Sequence, residues 1–303
     1  MFSGAAKMTL SPARTYREQL RILEERGLRI ADDEVAIRHL SHLNYYRFKL
    51  YGEPYFNAAG GRYHPEASFD DILKLYRFDQ RLRELVLAAI KRVEVSVRSR
   101  LAYEIGHRLG PFAHLDTTSY RSAEQSLGLL GALATEFRRS KEDFLRPYRD
   151  AGGLDIVPVW VAVEVASFGV ISKMLSAQGS AALRQAVADS YGLDEKVLCA
   201  AMHHLNVARN VAAHHGRLWG RRFSIELSIP RKKPAYLAGA FAQGPDRAGV
   251  YNTLVMLIHL VRQIDGGSDL PSAIRSHLLQ LDPKLWSRAG IPDGWSNHPT
   301  WMS

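Results

Sequence analysis

Cysteine is nearly absent from this sequence. Cys199 is the only one in 303 residues, so no intrachain disulfide can form, and the composition fits a reducing cytoplasm. The first residues, MFSGAAKMTLSPARTY, lack the apolar core of a signal peptide. Long hydrophobic runs are missing too. The two strongest, Val157–Val170 and Val250–Val261, are broken by Glu164 in one and by Asn252 and His259 in the other. Both fall short of a membrane span and are expected to be core helices. There is no internal repeat, low-complexity segment, phosphate-binding P-loop, GxGxxG fingerprint or nucleophile elbow, so none of the nucleotide-hydrolase, dinucleotide or α/β-hydrolase classes is signalled. Acidic residues are the scarcer charge: 31 Asp+Glu stand against 40 Lys+Arg, a net charge of +9 that favours an anionic partner. Arginine outnumbers lysine, which suits bidentate phosphate contacts.

What is present centres on residues 194–216. Asp194 is a good N-cap, and the Ala-rich run after it contains no proline. Gly216 stands where a left-handed stop is cheap. His203, Asn206, Asn210 and His214 recur at spacings of three, four and four, so they stack as one polar stripe. A stripe of imidazoles and amides beside Arg209 suits phosphodiester chemistry. Histidine exchanges protons near neutral pH, and a guanidinium forks onto phosphate oxygens. Asn210, one turn before His214, can orient the imidazole or bind substrate. Histidines at a helix C-terminus also serve the helix dipole alone. A metal is not expected, nor any other cofactor. His203 and His214 share a side but stand roughly 16 Å apart along the axis, and Cys199 would add only one more ligand at the His203 end.

Arg209-Asn210-Val211-Ala212-Ala213-His214 matches the RN-x-x-x-H form of the HEPN-type ribonuclease signature. Its continuation, His215-Gly216-Arg217-Leu218-Trp219-Gly220-Arg221, resembles a block of the Abi-like family of bacterial abortive-infection, phage-resistance proteins. Three further blocks carry the same resemblance. They are the NYYR run Asn44–Arg47 after an EQL-x-x-L-x-x-RGL opening, Leu75-Tyr76-Arg77-Phe78-Asp79-Gln80-Arg81-Leu82-Arg83, and the W-x-x-x-E-x-x-SFG run from Trp160 to Gly169.

Local signals sketch the remaining elements. Thr15 and Glu18 form a capping box for a first helix, which Gly27 ends, and Asp32 or Asp33 opens a second that leads into the NYYR run. Tyr45, Phe48 and Tyr51 either pack as core or, with Arg47 and Lys49, grip nucleic acid. Residues 52–67 read as a loop. The longest helix is expected over 69–106, with Leu75, Leu82, Val86, Ala89, Ile90, Val93, Val97, Leu101 and Ile105 as its buried stripe. Further helices are expected at 123–146, stopped by Pro147, at 158–176 and at 194–216, followed by two more near Arg247–Ile264 and Pro271–Leu281. Glu164 in so apolar a run would need a partner, Arg209 first or Arg98 second, while Glu94 can pair with Arg98 along its own helix. Arg217, Arg221, Arg222, Arg231, Lys232 and Lys233 form a basic collar beside the Arg209/His214 cleft.

The reading is an all-α protein, a HEPN-like bundle at 68–224 with an N-terminal helical segment at 1–67 and a C-terminal extension at 225–303. The resemblance implies a phage-defence protein that cuts RNA without a metal. Arg209, Asn210 and His214 would be catalytic, with Glu164, Glu94 and His215 in support. Arg217, Arg221, Arg222, Lys232, Lys233, Tyr45 and Arg47 would contact RNA. It also implies a cognate small structured RNA and a homodimer, with no membrane partner. The alternative is an RNA-binding regulator whose Arg/His motif is structural.

Overall fold

The structure, a computed structural model, describes residues 12–230, 234–244 and 246–302. Its internal contacts divide the chain into two units, Met1–Phe78 and Asp79–Ser303. The break falls inside the longest helix, where the sequence reading sets its divisions after residues 67 and 224.

In the first unit, α1 (Tyr16–Glu25) opens on the expected capping box, with the Glu18 carboxylate accepting the Thr15 N–H at 2.7 Å. Helix α2 (Asp33–His42) is capped by Asp32. The NYYR run opens a helix instead of closing one: Asn44 accepts the Tyr46 N–H at 2.9 Å and starts α3 (Tyr45–Gly52). The loop after it holds a small antiparallel pair, β1 (Phe56–Asn57) and β2 (Arg62–Tyr63). Ser68 then caps α4 (Phe69–Leu109). Phe48 stacks on Phe69 with ring centroids 4.4 Å apart, and Tyr51 meets Tyr76 edge-on at 5.3 Å. Of Tyr45, Phe48 and Tyr51, the last two are therefore core.

The second unit starts on α4. Its stripe from Leu82 through Ile105 is buried as the period requires. The expected helix over 123–146 is shorter. Helix α5 (Ala123–Arg139) stops at Ser140, and α6 (Arg146–Ala151) follows with Pro147 in its first turn. Pro147 thus begins a helix, as a residue with no N–H to lose can do. The expected helix over 158–176 is two, α7 (Val159–Val165) and α8 (Phe168–Ala177), parted at Ala166-Ser167. Helix α9 (Ala181–Asp189) has no counterpart in the sequence reading. Helix α10 (Glu195–Ala213) opens on Asp194 as expected and packs against α8 and α9. Helices α11 (Ala235–Gln243), α12 (Val250–Ile264) and α13 (Leu270–Leu278) complete the unit, α11 being a further addition. Every residue of α12 from Val250 to Val261 is buried. Two of its polar members find partners there: His259 bonds the Tyr191 carbonyl at 2.8 Å, and Thr253 bonds His204 at 2.8 Å. The protein is all-α apart from the β1–β2 pair among the described residues.

Candidate functional site

Helix α10 presents two different faces. Leu205, Ala208 and Ala212 are buried, while His203, Asn210 and His214 are exposed and Asn206 is half-buried. Asn206 lies against α8, where Gly169 leaves room for it: a Cβ there would stand 3.4 Å from the amide. His204, next to the exposed His203, is fully buried, its ring nitrogens against the Ile225 carbonyl at 2.6 Å and the Thr253 hydroxyl at 2.8 Å. Burial pushes its pKa down. One histidine of that pair is therefore structural. Burial also pushes the Cys199 thiol up to about 11. No three His, Cys, Asp or Glu side chains gather closely enough for a metal among the described residues.

The end of α10 differs from its sequence signal. Two hydrogen bonds close it, His215 N–H to Ala212 O at 3.1 Å and Gly216 N–H to Val211 O at 2.8 Å, the second spanning the first. His215, and not Gly216, takes the left-handed conformation, with φ 57°. Gly216 is needed for space instead, since a Cβ there would stand 2.9 Å from Val211 Cγ1. His214 is the C-cap and is exposed. Arg209 is half-buried and donates to Asn210 Oδ1 at 3.3 Å. No carboxylate pairs with Arg209 or His214 among the described residues.

The two acidic candidates sit elsewhere. Glu164 is exposed on α7, not buried, because it shares the helix's outward face with Trp160, one turn earlier. They line a cavity of about 540 Å³ with Tyr103 and His107 of α4. Glu94 holds Arg98 at 2.6 Å, the pairing its spacing allows, and the same guanidinium nitrogen donates to the Ala166 carbonyl at 2.7 Å. Arg98 therefore fastens the break between α7 and α8, and neither acid pairs with Arg209.

The collar is only partly free. Arg217 lies over the Trp219 ring at 5.6 Å, Arg221 donates to the Arg217 carbonyl at 3.4 Å, and Arg222 pairs with Asp246 at 2.9 Å. Lys232 and Lys233, with Arg231, lie outside the described residues. Tyr45 and Arg47 are half-buried on α3.

Asp79 carries a role the sequence reading missed. It is fully buried, pairs with Arg83 one turn later, and accepts the backbone N–H groups of Leu218 at 3.0 Å and Trp219 at 2.6 Å. One carboxylate thus pins the segment that leaves the Arg209–His214 motif to the start of the second unit's longest helix. The i,i+4 spacing of Asp79 and Arg83 is readable in the sequence, whereas the reach to residue 218 is not.

The model of the family described as Abi-like protein matches residues 38–220. The chain belongs to the Abi-like family. The match runs from within α2 to just past Trp219, so it takes in the NYYR helix, Asp79, Arg98, α7, α8 and the whole of α10. In this Abi-like chain, Arg221 and Arg222 fall just beyond it. No curated protein and no solved structure matches the chain. Family membership supports a place in abortive-infection phage defence. Among the described residues, no helix is long and apolar enough to cross a membrane.

Proposed function

We propose that this Abi-like protein acts in phage defence as a metal-independent endoribonuclease whose reacting groups are Arg209 and His214. What supports the reading is their shared position: both stand at the solvent-facing end of α10, with Asn210 between them and no carboxylate paired to either among the described residues. A guanidinium that no carboxylate holds is available for phosphate oxygens, and an exposed imidazole is available for proton transfer. In the reaction the ribose 2′-oxygen attacks the adjacent phosphorus and loses its proton. A 2′,3′-cyclic phosphate forms and the 5′-oxygen leaves carrying a proton. His214 takes the first proton or gives the second, while Arg209 stabilises charge on the phosphate. A cognate structured RNA would meet the basic residues 217–222. A homodimer would bring two such Arg/His pairs to one site, and light scattering at micromolar concentration should show the dimer.

Incubating the purified protein with structured RNA in EDTA provides the test. Cleavage that survives EDTA and disappears in His214→Ala supports the reading. RNA binding without cleavage would leave the regulator in its place, with Arg209 and His214 as contacts only.

A further inference from the structure

A second feature of the molecule asks for an anionic, aromatic ligand. The first unit contains a cavity of about 640 Å³ between α1, α2 and the start of α3, within the usual size range of small-ligand sites, roughly 300–1,000 Å³. Three of its lining residues are tyrosines, Tyr16, Tyr45 and Tyr46, and three are fixed cations, Arg14, Arg26 and Lys49. None of the residues lining it is acidic.

Geometry sets these groups for use. The Asn44 cap holds the first turn of α3, so Tyr45 and Tyr46 sit side by side with their rings edge to face at 6.1 Å. Tyr46 remains 72% exposed, which leaves its ring open for stacking. Lys49 lies over the Tyr45 ring at 5.8 Å, one turn further along the helix. On the opposite wall Gln19 donates to the Arg14 carbonyl at 3.0 Å and fixes the chain at Arg14. The charges of Arg14 and Arg26 both reach the Tyr45 hydroxyl. The carboxylate of Glu18, which Arg14 also feels, is held by the Thr15 N–H at 2.7 Å and the Thr15 hydroxyl at 2.8 Å. No carboxylate pairs with Arg14, Arg26 or Lys49 among the described residues. Three cations lining one cavity with no acidic residue in its wall repel one another, and an anion between them relieves that cost.

We propose that this cavity binds a nucleoside phosphate, its base stacked on Tyr46 and its phosphate held by Arg14, Arg26 and Lys49. The ligand is either a free nucleotide or an unpaired nucleotide of an RNA strand, since both present the same base and phosphate. For the strand, the proposal rests on the RNA reading above. The pocket itself requires no cleavage at α10.

Isothermal titration on the full chain carrying His214→Ala, which keeps any RNA intact, tests this with two probes: AMP and a 5′-phosphorylated adenosine hexanucleotide. Each probe is repeated on Tyr46→Ala and on Arg14→Gln/Lys49→Gln. Tyr46 is exposed, so its truncation should leave the thermal melt unchanged, and the melt is measured for both variants. Loss of the stacking platform should weaken binding about fivefold or more, and loss of two cations about tenfold or more at low salt. AMP binding that both variants weaken identifies a free-nucleotide pocket. Hexanucleotide binding alone, weakened by both, identifies a strand site. Binding of neither probe at millimolar concentration, or binding that Tyr46→Ala leaves within twofold of the parent, overturns the proposal whatever the outcome of the cleavage assay.

Discussion

Asp79–Arg83 and Arg209–His214 are both polar pairs inside Abi-like sequence blocks, and the structure treats them in opposite ways. The first pair is buried, mutually bonded and tied to the backbone at Leu218 and Trp219. The second is partly or fully exposed, and among the described residues its side-chain bond is the long one from Arg209 to Asn210. A motif residue can therefore be read as architecture or as chemistry only once its burial and partners are known. Asp79 organises the turn that follows the Arg/His motif, whereas no carboxylate holds Arg209 or His214 among the described residues. That difference is what the proposed nuclease reading builds on.

The contrast breaks most visibly on the buried side. Asp79→Ala leaves the Arg83 guanidinium in the interior without its carboxylate and removes the acceptor of two backbone N–H groups. A loss of about 3–5 kcal/mol is expected. Urea unfolding should show that loss, and a loss below about 1 kcal/mol would mean that the turn at 218–219 is held by other contacts.

On the exposed side the effect should move from stability to rate. The exposed His214→Ala should change unfolding free energy by no more than about 0.5 kcal/mol, as is usual for surface substitutions, and the half-buried Arg209→Ala by about 1 kcal/mol. RNA cleavage by His214→Ala should fall about 10²–10⁴-fold, the usual contribution of a proton-transfer group. Full cleavage or defence by a folded His214→Ala protein would end the nuclease reading.

The same division explains what could be read from the sequence. Helix α10 was legible because its cap, Asp194, and its apolar period lie within a few residues of one another. The all-α class, the stripe of α4 and the Glu94–Arg98 pairing were legible for the same reason. The break between α7 and α8 was not, because it is held from outside: the Ser167 N–H donates to Glu136 of α5 at 2.7 Å, and the Ala166 carbonyl takes Arg98 of α4. Inside an unbroken apolar run nothing local announces those partners. Glu164 differs from its expected burial for another reason: it shares the outward face of α7 with Trp160, one turn earlier, and an apolar run alone does not show which face is outward. Pro147 was visible but ambiguous, because proline ends one helix and begins another with equal ease.

The histidines repeat the comparison on a smaller scale and give it a pH axis. His203, His214 and His215 are exposed, whereas His114, His204 and His259 are buried. Burial pulls His114 down to about 4 and lowers His204 and His259 as well. Below the ordinary histidine value, near 6.5, the unfolded chain binds protons that the folded chain refuses. The stability these residues contribute is thus complete above about pH 6.5 and is lost as pH falls toward 4, by up to about 3 kcal/mol for His114 alone. Unfolding curves at pH 7 and pH 4.5 should separate by that order, and His114→Gln should reduce the separation. Curves that coincide would show that these imidazoles are not held neutral.

The smallest effect lies at the join between the two kinds of residue. His215 closes α10 with a positive φ, in a position where glycine is the usual occupant. Histidine is among the side chains that tolerate this region best, so the strain is modest and should be on the order of 1 kcal/mol. His215→Gly removes the strain but also loosens the unfolded chain, so stability should rise by no more than about 1 kcal/mol. His215→Val, whose β-branched side chain fits the left-handed region poorly, should lower it instead. The pair separates geometry from chemistry at the motif. If His215 serves only to turn the chain after His214, His215→Gly keeps RNA cleavage near the parent rate while His215→Val loses part of it through a displaced His214. Should His215→Gly abolish cleavage in a protein whose melt is unchanged, the titrating imidazole is His215, and His214 becomes the residue that ends the helix.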